Sequence, residues 1–600
     1  MAAFFYAFRL LRPSPLLPQH SAFRLPFRPY LLLLAIPLCY HPSVQPVISA
    51  AQMREIDRLT STNFDTPSLL LMEAAASASL RALSQKFALK LASKKVRILC
   101  GPGNNGGDGA ALARAIAHLG APTDVVLIGR VEETKGDART NFEIVQRLAS
   151  FNAGSKTKPS PITFVECLTV AAWEEIAGAR KSYDIIVDAL FGTGLTRPLD
   201  GIFLQVVEHL ALIRSARDRS GAARPFILSL DLPSGLNADL AQPIGAAVQA
   251  DLTVTFTAPK PANVLPPAST FGGQLIVENI GSPVSLVEAE LPALFLVEES
   301  DARNWLISTR YTADSYKNTH GHALIIAGSR GYSGAAALCA NAAMRSGAGL
   351  VTIGTPVSAQ SSVAAAAIPE VMTLALAETD RGIVSDAAIE HVRSLASKAN
   401  VVAIGPGLSS TDERTRSFVR SIVSERTAPV VIDADGLNCL APWPQTIKGS
   451  AEHPLILTPH QGEMLRLLGT DDKSALADRV SAVREFAKAH QLILLLKGTR
   501  SIVGTPDGRV FVNQTGNAGL GTAGSGDTLT GIITGFLAQA YGTLKIEADA
   551  LLATLAALYV GGLAGDLAAR ELGMRTMLAS DIQNHLSAAI RSLDPEGERP

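Results

Sequence analysis

From about residue 47 the chain alternates short apolar runs with segments of helical periodicity. ISAAQMREIDRLTSTNFDTPSLLLMEAAASASLRAL (48–83) predicts two helices broken at Pro67. VRILCG (96–101), TDVVLIG (123–129), YDIIVDALFG (183–192), FILSLDLPSG (226–235) and DLTVTFTAPK (251–260) read as buried strands, and QLIVENIGSP (274–283) as a closing one. A second series runs through HALIIAGS (322–329), AGLVTIGT (348–355), NVVAIGPG (400–407), APVVIDADG (428–436), HPLILTPHQGE (453–463) and QLILLLKGT (491–499). Strands spaced by helices predict an α/β fold with mostly parallel sheets. The expected organisation is an extension over 1–47, one αβα domain over 48–285, an acidic, proline-containing linker over 286–298, and a second αβα domain over 299–592. Almost every strand ends in Gly, Asp, Pro or His, and ligands of open α/β sheets bind at the strands' carboxyl ends. Two separate sites are therefore expected.

Length and composition narrow the class. Six hundred residues exceed a single core. A net charge of −1 with 18% charged residues gives no electrostatic case for nucleic acid or an anionic membrane. The five cysteines, at 39, 100, 167, 339 and 439, form no CxxC, which points to a reducing, cytoplasmic setting and no zinc site. Arg9, Arg12, Arg24 and Arg28 precede the first acid, Glu55, and the apolar run Tyr30–Cys39 is too short to span a bilayer. This leader reads as an organellar transit peptide, a signal sequence, or an extension or unused upstream start, the last being favoured.

The first candidate site opens at Gly101-Pro102-Gly103-Asn104-Asn105-Gly106-Gly107-Asp108-Gly109, between a strand and a helix. Positions 101, 103 and 106 fit GxGxxG, but the next strand ends in Gly129 and Arg130, without the acid that a dinucleotide dehydrogenase places there. The loop still offers backbone donors, two amides and a carboxylate beside a helix N-terminus, which suits a phosphate or ribose. GNNGGDG (103–109), VDALFGTGLTRP (187–198), LDLPSGLNAD (230–239) and TFTAPKP (255–261) together resemble the NAD(P)H-hydrate epimerases over roughly 48–283. The resemblance implies a Rossmann-like domain that interconverts the R and S forms of hydrated NAD(P)H. It implies that Asn104, Asn105, Gly106, Gly107, Asp108, Gly192, Thr193, Gly194, Leu195, Thr196, Arg197, Pro198 and Asp231 hold the nucleotide. Asn105, Asp188 and Ser234 would contact a potassium ion, which hard oxygen ligands suit. Lys135 and Asp188 are the candidates for the polar chemistry at C6 of the nicotinamide ring, although Asp188 also reads as a strand-end acid capping the next turn.

The second candidate site centres on Gly524-Ser525-Gly526-Asp527, where a glycine-rich loop runs into an apolar helical segment. Such a loop closes backbone N–H groups on an anion. A carboxylate there reads either as a helix N-cap or as a base. No GxxxxGK[ST] or protein-kinase signature is present. Thr458-Pro459-His460-Gln461-Gly462-Glu463, Lys497-Gly498-Thr499 and the loop from Asn517 to Asp527 resemble the ADP-dependent NAD(P)H-hydrate dehydratases, a ribokinase-like family, over about 299–590. By that resemblance ADP, carried with Mg²⁺, is converted to AMP and phosphate while the S hydrate returns to NAD(P)H. Asp527 would be the base, and Lys497, Gly498, Thr499, Arg500, Ser501 and Gly526 would bind the AMP part. Ala335, Gly407, His460 and Asp527 would contact the hydrated nucleotide. The partners expected are NADHX, NADPHX and ADP (the first two being the hydrates), with a homo-oligomer as the assembly.

Two other readings stand beside this one. A ribokinase-like small-molecule kinase accounts for GSGD but not for TPHQGE or the first half. A first domain reduced to a binding module would not need Asn105, Asp188 and Ser234.

Overall fold

In a computed structural model of the chain, the structure describes residues 44–151, 161–179, 182–220 and 224–597. The leader reading falls on 1–43, outside the described residues.

The N-terminal sheet has seven parallel strands. Their spatial order is Ile162–Cys167, Thr123–Ile128, Val96–Cys100, Ile185–Ala189, Phe226–Leu230, Leu252–Phe256 and Gln274–Glu278. The chain enters at Val96–Cys100, builds outward to one edge, then returns to build the other. The order thus reverses between Val96–Cys100 and Ile185–Ala189, the doubly wound switch point. One face buries Leu83, Leu112, Ile116 and Phe142 against the sheet, and the other buries Trp173, Val206, Val207 and Leu210. Central strands such as Ile185–Ala189 are buried on both faces, which explains their mostly apolar sequence.

The C-terminal sheet has eleven strands. From Ile493–Leu496 they run through Leu455–Leu457, Val430–Ile432, Val401–Ile404, His322–Ile326, Leu350–Pro356 and Met372–Leu376, all parallel. This half also has a switch point, between His322–Ile326 and Val401–Ile404. Beyond Ile493–Leu496 the sheet continues antiparallel through Ile502–Gly504 and Val510–Asn513.

Two further strands of this sheet come from unexpected places. The segment expected as a linker contains the whole of Leu294–Val297, which pairs parallel to Val510–Asn513, and most of the helix Val284–Ala289. Phe295 is buried and stacks on Phe511, ring centroids 5.2 Å apart, so a free linker would forfeit that burial. Gln45–Pro46, inside the expected extension, adds antiparallel to Leu294–Val297. Val47 joins the C-terminal core, while Ile48, Met53 and Ile56 pack with Ala258 and Val287. The arm before the first helix thus ties the two halves together.

One helix among the described residues, Ala550–Leu572, is long and apolar enough to cross a membrane, and 72% of that window is buried inside the protein. It packs against Ser525–Gln539 and Ala579–Leu593 as a core helix.

Candidate active sites

The first site lies at the N-terminal switch point. Gly101 ends the strand Val96–Cys100 so close to the neighbouring strand's continuation that a Cβ would sit 2.0 Å from the Leu190 carbonyl oxygen, so only glycine fits. The helix Asn104–His118 starts there, with Gly106 and Gly107 packed in its first turns. A cavity of about 560 Å³ opens in front of it, lined by Asn104, Asn105, Asp108, Gly192, Thr193, Gly194, Asp231, Asp57, Thr257 and Lys260 among others. Leu195 is buried in the core beside it, and Thr196, Arg197 and Pro198 are exposed beyond its rim.

Lys260 is buried. Its Nζ donates to Asp231 Oδ1 at 2.5 Å, Thr255 Oγ1 at 3.0 Å and the Phe256 carbonyl at 3.1 Å, which uses all three ammonium donors. Asp231 and Thr257 hold left-handed backbones, φ +62° and +64°. For β-branched Thr257 that conformation is strained, and such strain gathers at functional sites. Burial, aided by Asp231 and Asp57, pushes the Asp108 carboxyl well up. Burial likewise raises Asp57 to about 6, with Lys260 opposing and Asp231 adding.

Asp188 is fully buried behind this cavity rather than on its wall. It accepts from Ser234 Oγ at 2.6 Å, Ser234 N at 2.9 Å and Ser229 Oγ at 2.8 Å. Burial raises its pKa, and those hydrogen bonds hold the rise back. Lys135 precedes the helix Gly136–Ser150 as an exposed residue and is not part of the cavity lining. The lysine within the cavity is instead Lys260, inside the TFTAPKP motif but not singled out there. Asp57 carried no motif signal at all.

The second site lies along the carboxyl edge of the C-terminal sheet. Ser329 Oγ donates to the Gly407 carbonyl at 2.7 Å across the switch point, and a Cβ on Gly407 would stand 3.1 Å from that of Ala335. Ala335 and Gly407 are therefore neighbours, as expected of residues sharing a ligand. His460 caps the helix Gln461–Leu468, its Nδ1 accepting from Gly462 N at 3.0 Å and Glu463 N at 3.3 Å. With Nδ1 accepting, Nε2 is the ring's donor, on a half-exposed side chain and 3.5 Å from Glu463 Oε1.

The GSGD loop is braced from behind. Asp566 accepts from Gly516 N and Asn517 Nδ2, and Ser525 Oγ donates to the Leu520 carbonyl. Gly524 is the N-cap of the helix Ser525–Gln539, at φ +84°, which favours glycine. Asp527 is therefore the third helical residue, and the helix has no side-chain cap bond. The capping alternative does not hold. Burial pushes Asp527 up to about 7, with nearby Asp433 adding and Lys497 opposing.

Lys497 donates to the buried Asp433 at 2.6 Å, and Thr530 Oγ1 donates to the other Asp433 oxygen at 2.6 Å. Burial alone would lower the Lys497 pKa, but Asp433, Glu463 and Asp527 win and hold it above its ordinary value. A Cβ on Gly526 would lie 3.4 Å from Lys497 Nζ, so the loop and the lysine meet. In the strap Lys497–Ser501 that follows the strand Ile493–Leu496, Arg500 has a left-handed backbone and an Nη1 without a partner. Arg479 donates from Nη1 to the Thr499 carbonyl, while its Nε and Nη2 are buried without partners. Ser501 Oγ donates to the Gly498 carbonyl, closing the turn.

Two doubly wound domains, one with a carboxylate–lysine cavity and one with an anion loop at a helix N-terminus, define a two-site nucleotide enzyme. Family models agree with that division: a YjeF-related protein N-terminus matches residues 68–262 and NAD(P)H-hydrate dehydratase matches 323–588. The bifunctional NAD(P)H-hydrate repair enzyme Nnr of Moorella thermoacetica is 38% identical over 552 residues, 92% of this chain and 98% of that protein. The Escherichia coli protein of the same name is 31% identical over 83% of this chain and 85% of its own. A Bacillus subtilis ADP/ATP-dependent NAD(P)H-hydrate dehydratase crystallised with ATP and Mg²⁺ is 30% identical, covering 50% of this chain and 98% of that one, with a TM-score of 0.42. The chain belongs to the bifunctional NAD(P)H-hydrate repair enzymes.

Proposed function

We propose that the first site interconverts the R and S hydrates of NADH and NADPH, and that the second dehydrates the S form, converting ADP to AMP and phosphate. The observation that carries this reading is Asp527, an uncapped carboxylate raised to about 7 beside a lysine held among acids.

In the second site, Asp527 takes the proton of the C6 hydroxyl as that oxygen attacks the β-phosphoryl of ADP. The N–H groups of Gly524–Gly526 and the Lys497 ammonium face the negative charge that is moved, and AMP departs. Phosphate then leaves C6 with its bonding electrons, the ring nitrogen supplies the pair that replaces them, and loss of a C5 proton restores the double bond. Mg²⁺ carried on the ADP phosphates would offset part of their negative charge. The strap from Lys497 to Ser501 and Gly526 holds the AMP part. Gly407, Ala335 and the His460 Nε2 donor hold the hydrated nucleotide.

In the first site, the strand-end loops hold the hydrate, with Asn104, Asn105, Asp108 and Gly192–Gly194 on its nucleotide together with Asp231. Both polar atoms of the buried Asn105 amide lack a partner. With Asp188 and Ser234 at the neighbouring strand ends, that orphaned oxygen fits a potassium ion, and the donor set is all hard oxygen. Potassium held there would supply a fixed positive charge. Asp188 serves on this reading as its anionic ligand and keeps Ser234 oriented.

The test is stoichiometric. With the S hydrate and Mg²⁺–ADP, the protein should yield reduced nucleotide, AMP and phosphate in equal amounts, and Asp527→Asn should stop all three. Phosphorylated hydrate without reduced nucleotide, or full turnover by Asp527→Asn, would contradict the assignment.

A further inference from the structure

We propose that Asp57, on the helix Ala50–Asn63, is the catalytic residue that exchanges a proton with the C6 hydroxyl during epimerisation. This rests on the epimerase reading of the first site. Met53, Arg54, Asp57 and Ser61 follow helical spacing and together form the part of the cavity wall supplied by this helix. None belongs to a strand-end motif.

Asp57 differs from Asp231 and Asp188. Asp231 is bound by Lys260 and Thr255, and Asp188 by Ser229 and Ser234. Asp57 Oδ1 is buried and has no hydrogen-bond partner. The Asp57 side chain lines the cavity, and a carboxyl group so placed, with no hydrogen-bond partner on its buried oxygen, calls for an explanation that a substrate hydroxyl bound in the cavity supplies. Lys260 is the obvious rival for proton exchange, but its three donors are already spent on Asp231, Thr255 and Phe256, so it positions Asp231. The charged groups sharing the wall with Asp57 are Arg54 on its own helix, Asp108, Asp137, Asp231 and Lys260. Their balance, with burial, leaves part of the Asp57 population protonated near neutral pH, as an acid catalyst requires.

The step balances. Protonated Asp57 gives its proton to the C6 oxygen, and the C–O bond breaks with its electrons leaving on the water formed. The ring nitrogen's pair forms a double bond to C6, giving an iminium ion. Water adds to either face of C6, and the Asp57 carboxylate takes the proton released. No oxidant or reductant enters.

The test uses the full chain. R-to-S conversion is followed chromatographically without ADP, above the uncatalysed rate, for wild type, Asp57→Asn and Asp57→Ala. Both variants should lose about a hundredfold or more in kcat with little change in KM. Dehydration of the S form by the same samples should be unchanged, and their circular dichroism and thermal unfolding should match wild type. Added formate should restore part of the Asp57→Ala rate. Epimerisation by Asp57→Asn within about threefold of wild type would overturn the proposal, as would loss in Asp57→Ala that formate does not relieve. A wild type that does not epimerise at all would bring down the underlying reading, and this assignment with it.

Discussion

The two sites solve a shared geometric problem with opposite leftovers. Each sits at a switch point, each opens on a glycine loop feeding a helix, and each buries one lysine against one aspartate, Lys260–Asp231 and Lys497–Asp433. They differ in what is left unpaired. The first cavity leaves the Asn105 amide and an Asp57 carboxylate oxygen, whereas beside the second site the unpaired buried groups are guanidinium N–H donors of Arg479 and Arg500. The Asn105 Nδ2 donor apart, the first site's leftovers are oxygens, which suit a cation and a hydroxyl, while free N–H donors suit phosphate. The lesson is that a shared fold carries two chemistries through which polar atoms it leaves unsatisfied.

The sharpest break between the sites comes from Asp527→Ala. Dehydration should fall by about 10²–10⁴, while R–S interconversion by the same protein is unchanged. Equal losses in both activities would mean that the sites are not independent. Lys260→Met should act the other way, on the first site. It leaves a mostly buried Asp231 uncompensated, and breaking such a pair costs about 3–5 kcal/mol. Denaturant titration should register the loss, and adding Asp231→Asn should recover part of it.

A smaller effect is expected from Arg479→Ala. If its free donors meet the nucleotide phosphates, KM for ADP should rise about tenfold, the scale of one charge-assisted hydrogen bond, with epimerisation untouched. Kinetics at varied ADP would decide it.

The smallest effect is on stability. The Asp527 pKa is raised from 3.8 to about 7, so the folded state holds that proton more tightly than the unfolded chain does. The native state is therefore penalised progressively as pH rises through that window, and fully above it. Asp527→Asn removes the charge and should raise Tm by about 2–4 °C above neutral pH, the shift for about 1 kcal/mol in a domain of this size. The gain should vanish towards the ordinary carboxylate range. A variant that gained most in acid would contradict the sign.

Much of this could be read in the sequence wherever a strand is buried on both faces. VRILC, IIVDA and VVAI are predominantly apolar, with Arg97 and Asp188 the charged exceptions, and each is a central strand. The strands not foreseen have weaker signatures. Ile162–Cys167 and Met372–Leu376 are edges with exposed residues interrupting the run, and Ile502–Gly504 has only three residues. Leu294–Val297 hid in an acidic segment because its partner, Val510–Asn513, lies more than two hundred residues away. The sites divide in a similar way. Strand-end motifs contained Lys260 and Asp433 without showing that each would be half of a buried pair. Asp57 and Arg479 lie on helices, and only folding brings them to the first cavity and to the turn at Thr499. Lys135 shows the converse, a charged residue near a motif in sequence yet outside the cavity.

The most direct test of the two-site account follows the near-ultraviolet absorbance of the dihydronicotinamide ring in a mixture of R and S hydrates with Mg²⁺–ADP and potassium. The account predicts recovery of the whole mixture by the wild type, and recovery of the S share alone by a protein whose first site is disabled. Wild-type recovery that stops when the S form is exhausted would contradict it.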